Sequence, residues 1–148
     1  MKQIVLITAL CSTLCSCNKM QYIPRQQAVT GNWTIHKAYF KPNRLFSTKT
    51  NVSDQFQSIT ILIQDDRSVS YTNTATLAFK QGRWTISKET YTSSSIEGIT
   101  TYSDDDYLNF DWQHHLQQRW LLGKTNRTEM IAGEAADNGW YTYYLKKI

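Results

Sequence analysis

A chain of 148 residues, 41% of them hydrophobic, suffices for one domain with a single core that needs no covalent staples. Its 16 Lys and Arg exceed its 12 Asp and Glu by a formal charge of only +4, and the basic residues stand mostly singly. That scatter excludes the concentrated basic face of a nucleic-acid binder.

The chain begins MKQIVLITALCSTLCSC. Lys2 precedes an apolar run over residues 4–10 and then small residues, the layout of a secretory signal peptide, too short to cross a bilayer as a stable helix. The run ends in Leu14-Cys15-Ser16-Cys17, which resembles the lipobox of bacterial lipoproteins. The resemblance implies a leader over residues 1–16 and a palmitate-type lipid on Cys17, which becomes the first residue of the mature chain. It also implies an outer-membrane, periplasm-facing location in a Gram-negative envelope, with surface exposure as a variant. Asn18 follows the Cys, where an Asp often holds such proteins at the inner membrane. Plain secretion with a Cys near the cleavage site is the competing reading. No cysteine follows Cys17, which suits an oxidising compartment. Residues 17–30 are polar and aperiodic, and read as the lipidated N-terminus and a flexible tether.

From Gly31 to Ile148 the text is rich in Thr, Ile, Tyr and Trp, shows no sustained helical period and is broken often by turn residues: an all-β domain. A first strand over 33–40 places Trp33, Ile35 and Tyr39 on one face. Residues 41–54 form a long polar connection. Ile59, Ile61 and Ile63 mark a second strand, which QDDRS turns into 69–73. A run over 77–79 reaches a KQG turn, and 84–87 follows. Residues 89–95 and 99–103 come next, then an SDDD turn and a strand over 107–112 with Leu108, Phe110 and Trp112 on one face. DWQHHLQQRW also admits a helical turn or two. Strands over 118–124, 130–134 and 140–146 are joined by TNR and by ADNG, the strongest turn signal in the chain. Eight to ten short strands in succession leave no room for parallel crossovers. The expected architecture is a single up-and-down antiparallel β-barrel of about eight strands, closed so that no edge is exposed.

One phrase occurs twice, as Gly31-Asn-Trp33-Thr-Ile35 and Gly82-Arg-Trp84-Thr-Ile86. In a barrel, glycine lets a backbone approach closely at the floor, and tryptophan fills the wide bottom layer. The Ile two positions on shares its face. Gly31, Trp33, Gly82 and Trp84 are therefore expected to plug one floor from two sides. The Gly-x-Trp at the start of the first strand resembles that of the lipocalin and wider calycin superfamily. With the second copy, the aromatic body and the closing YYLKK, the domain resembles small lipocalin-like bacterial lipoproteins. The resemblance implies a basic residue from a late strand packed over the first Trp, for which Arg119, Lys124 or Lys146 is available.

Motifs for chemistry are sparse. His114-His115 are adjacent and point to opposite faces of a strand, with no third metal ligand at a recognisable spacing. Asp104-Asp105-Asp106 lacks the Gly and later Glu of a calcium loop and reads as an acidic turn. No nucleophile-base motif stands out, so neither an enzyme nor a cofactor is expected. The 19 aromatic residues (Trp 5, Tyr 9, Phe 5) exceed what a small core requires. The expectation is a non-enzymatic, lipid-anchored barrel that binds a small apolar ligand at its mouth, with Tyr39, Tyr71 and Phe110 as lining. The alternative is an interaction lipoprotein with a filled barrel, an inhibitor or accessory subunit of an envelope complex.

Overall fold

In the computed structural model, residues 24–94 and 100–148 are described, and the leader and Cys17 lie outside them. Runs of β-branched and aromatic residues form β1 (Gly31–Pro42), β2 (Thr50–Asn51), β3 (Ile59–Ile63), β4 (Ser68–Asn73), β5 (Ala78–Ser94), β6 (Thr100–Trp112), β7 (Leu116–Thr125), β8 (Glu129–Ala136) and β9 (Gly139–Lys147). β2 is a short addition beside the end of β1. The other strands pair antiparallel in sequence order, and β9 returns to β1, which closes an eight-stranded up-and-down barrel.

This meander sets two ends. The start of β1 lies at one end with the β3–β4 and β7–β8 connections; the β4–β5, β6–β7 and β8–β9 connections lie at the other. A helix, α1 (Arg25–Val29), covers the first end with Ala28 and Val29 buried. Arg25 Nε bonds Asp106 Oδ2 at 2.9 Å, and Arg25 Nη1 bonds the Gly123 carbonyl at 2.9 Å. The span read as a tether therefore joins the domain from Arg25 onward. The second end is the mouth, partly covered by a 3-10 turn (Ser53–Gln55) and by Phe56 after it.

Two expected turns are strand instead. KQG lies inside β5, where Gly82 sits opposite both Val69 of β4 and Trp112 of β6. A Cβ on Gly82 would collide with the Asp111 carbonyl oxygen, so this glycine serves the close approach of β6. SDDD lies inside β6. The alternation of a strand separates the three carboxylates by face, and Lys88 and Arg25 neutralise Asp104 and Asp106. The turns QDDRS, TNR and ADNG occur as expected between β3 and β4, β7 and β8, and β8 and β9. DWQHHLQQRW is not helical: His114 and His115, with φ of 70° and 60°, make the tight turn from β6 to β7.

Inward positions alternate along each strand. They include Trp33 and Ile35 on β1, Ile59, Ile61 and Ile63 on β3, Trp84 on β5, and Leu108, Phe110 and Trp112 on β6. Trp120 and Leu122 of β7, Met130 and Ala132 of β8, and Tyr143 and Leu145 of β9 complete the set, all in one core cluster. In β1 the register shifts between Ile35 and Lys37, and the inward side passes to Ala38, which is fully buried.

Candidate functional site

The floor carries the repeated phrase. Trp33 is fully buried, and its indole Nε1 donates to the Val29 carbonyl at 2.7 Å. Trp84 is as deep, and its Nε1 donates to the Gln64 carbonyl at 2.8 Å. Each ring is faced by a cation: Lys147 Nζ lies 5.0 Å from the Trp33 ring, and the Arg67 guanidinium 4.8 Å from the Trp84 ring. The two copies thus perform one mechanical task, an indole tied to a carbonyl at the barrel end and shielded by a cation. Gly31 adopts φ +138°, and a side chain there would run into the Lys147 stem.

The basic residue over Trp33 is Lys147. Lys147 shares the inward alternation of Tyr143 and Leu145, whereas Lys146 faces away from it. Arg119 lies on the outer wall, stacked 3.5 Å over the Tyr107 ring and paired with Glu89. Lys124 is exposed near the end of β7.

Above the floor an aromatic belt runs around the interior. Tyr71 meets Trp112 at 6.3 Å, Trp112 stacks on Phe110 at 5.3 Å, and Phe110 meets Trp120 edge-on at 5.0 Å. Trp120 reaches Tyr143 at 5.3 Å, and Phe56 closes over Tyr143 at 5.2 Å. The belt leaves a cavity of about 140 Å³, lined by an aliphatic wall (Ile35, Ile59, Ile61), by Phe56, Tyr71, Trp112, Trp120 and Tyr143, and by the polar Lys80 and Gln118. Larger depressions of about 570 and 650 Å³ lie on the barrel surface, lined mainly by polar side chains of β4 to β7 and the connections at their ends.

One polar chain borders the cavity. Trp112 Nε1 donates to Gln118 Oε1 at 3.0 Å, and Gln118 Nε2 donates to Glu134 Oε1 at 2.8 Å. The Tyr143 hydroxyl donates to Glu134 Oε2 at 2.8 Å. Burial first, and then the Glu134 charge, push the Tyr143 phenol well above its ordinary range, so it remains a donor.

Of the residues expected to line the mouth, Tyr71 does so. Phe110 is buried below it between Trp112 and Trp120, part of the belt and not of the wall. Tyr39 faces outward and meets Tyr144 edge-on at 5.8 Å, because the shift after Ile35 reverses the alternation that had placed it inside. Gln118, Trp120, Glu134 and Tyr143 were not singled out in the sequence. Their signal was the alternation of Gln118, Trp120 and Leu122, and of Met130, Ala132 and Glu134, which sets two polar side chains on an inward face. Among the described residues no cluster of His, Cys, Asp or Glu is arranged to hold a metal ion.

The mouth also carries a rim of exposed apolar side chains: Leu45 and Phe46 after β1, Leu77 and Phe79 around the β4–β5 turn, and Leu116 at the start of β7. Compared with models of known families, with curated proteins and with solved structures, the chain shows no match.

Proposed function

We propose that this protein is a non-enzymatic, lipid-anchored barrel of the bacterial outer membrane that takes a small apolar ligand into its mouth. The observation that carries the ligand half is the 140 Å³ cavity walled by isoleucine and aromatic rings at the covered end of the barrel. An engineered apolar cavity of roughly this size, about 150 Å³, takes benzene. The leader and Leu14–Cys17 support the anchor half. A lipocalin-like reading is supported by the strand-opening Gly31-Asn-Trp33 beneath Lys147.

The test is a titration with fluorobenzene followed by fluorine NMR. One saturable site is expected, weakened by Ile59→Phe, which grows a ring into the cavity. Absence of saturable uptake removes the ligand reading. A second reading, an interaction lipoprotein, is favoured by the apolar rim at Leu45, Phe46, Leu77, Phe79 and Leu116, of which Phe46 is 97% exposed. On that reading, serine at Phe46 and Leu77 leaves fluorobenzene uptake intact and abolishes association with the envelope partner.

A further inference from the structure

The apolar rim of the mouth is displayed on turns that hydrogen bonds hold in place. Leu45 and Phe46 stand at the apex of the connection after β1. There the Ser47 backbone N–H donates to the Arg44 carbonyl at 3.2 Å, and the Ser47 hydroxyl to the Pro42 carbonyl at 2.7 Å. Leu77 ends the β4–β5 turn, where Asn73 Oδ1 accepts from the Ala75 and Thr76 backbone N–H groups at 3.0 and 3.2 Å. Phe46 and Leu77 hold φ of 61° and 56°, a backbone region that bulky side chains rarely enter. Each therefore bears local strain, and each sets its apolar surface in water, at 97% and 89% exposure. Two costs falling on the same two residues mark these apexes as points of contact.

The charges beside the tips indicate what they meet. Residues 41–49 carry Lys41, Arg44 and Lys49 and no acidic residue, and all three cations are exposed. Among the described residues none of the three pairs with a carboxylate. Residues 74–80 hold no acidic residue either. Of the connections at this end, acidic residues occur in the 3-10 turn, as Asp54, and in the β8–β9 turn, as Asp137. We infer that the rim docks on an anionic, phosphate-bearing lipid surface. Leu45, Phe46 and Leu77 enter the headgroup layer, and Arg44 and Lys49 face the lipid phosphates. Apolar burial and attraction to anionic lipid then act together. Apolar tips on two separate turns suit a fluid surface, which closes round each tip independently; a folded partner would need a matched socket for each. The inference rests on the interaction reading of this rim, for which it names the partner, and does not depend on the cavity.

The experiment uses the full chain with Cys11→Ser, Cys15→Ser and Cys17→Ser, so that it carries no lipid and no native thiol. One environment-sensitive nitrobenzoxadiazole label is then placed through Phe46→Cys at the rim or through Arg127→Cys in the β7–β8 turn of the sealed end. Vesicles of phosphatidylcholine, or of phosphatidylcholine and phosphatidylglycerol in equal parts, are titrated in. The label at position 46 is expected to brighten and shift to the blue with the anionic vesicles, at lipid concentrations where phosphatidylcholine alone has little effect. The label at position 127 should stay in water, which separates docking by the rim from any binding by the leader. Arg44→Gln and Lys49→Gln should each weaken the apparent lipid affinity about fivefold. Leu77→Ser should weaken it about tenfold. The inference is overturned if the label at position 46 stays in water with both vesicles, if it enters both equally, or if none of the three variants weakens its entry. Should it stay in water while serine at Phe46 and Leu77 still abolishes association with the envelope partner, the rim belongs to a protein and the interaction reading stands. Should that association survive as well, both readings of the rim fall.

Discussion

Replacing Trp33 by alanine removes an indole that is fully enclosed, and the structure sets the size of the loss. Truncation of a buried Trp costs about 3–5 kcal/mol in transfer and cavity terms. The Val29 carbonyl loses its donor as well, and Lys147 loses the ring it faces. A total of about 4–5 kcal/mol is a large part of the roughly 5–15 kcal/mol that holds a domain together. In a urea titration read by near-ultraviolet circular dichroism, a slope of about 2 kcal/mol per molar puts the midpoint roughly 2 M lower. Trp84→Ala should fall by a similar amount, because its ring is as deep and has the same kind of partners, the Gln64 carbonyl and Arg67. The double variant should not fold, since two such losses together reach the whole stability. Trp140, half-buried on the outer wall over Gly133, is the control and should lose much less. If both floor variants shift the midpoint by under roughly 0.5 M, the repeated phrase is not a floor.

Gly82→Ala places a methyl group against the backbone at Asp111 and Trp112, which cannot swing aside, and a loss of about 1–3 kcal/mol in the same titration is expected. Tyr143 ionises well above the ordinary 10.0 in the folded state, so the stability it contributes is present below about pH 10 and lost as pH rises beyond it. Thermal melts should therefore decline on the alkaline side, and Tyr143→Phe should flatten that decline while lowering the neutral melting point, because Glu134 Oε2 then lacks its donor. Cys17→Ser should release the protein into the soluble fraction or block its processing; unchanged sedimentation with membranes would refute the anchor.

The barrel itself was legible because strand alternation and turn chemistry agree over most of the chain. Ile59, Ile61 and Ile63 occupy the expected face, and ADNG turns as its residues require. Reading failed where a local signal had a second physical use. Gly82 in KQG looks like a turn residue, yet it makes room for a neighbouring strand. The triple aspartate looks like a loop, yet Lys88 and Arg25 sit near enough to hold two of the three within a strand. Tyr39 was lost to a one-residue slip in register, which no composition rule reveals and which inverts every position after it. The site suffered most, because its polar members are spread over β5, β7, β8 and β9, and only barrel closure makes them neighbours.

The helix α1 bears on how such a barrel would stand in an envelope. It seals the end opposite the mouth, and its first residue, Arg25, is pinned to β6 and β7. A lipid on Cys17 would therefore plant the sealed end toward the bilayer and aim the mouth into the aqueous space beyond. Cargo would then arrive through water and not by sliding out of the host leaflet, which favours molecules soluble enough to travel alone. The same posture would hold the greasy loop tips at Phe46 and Leu77 at the distal pole, out of reach of the anchoring membrane and first to touch whatever approaches from the other side.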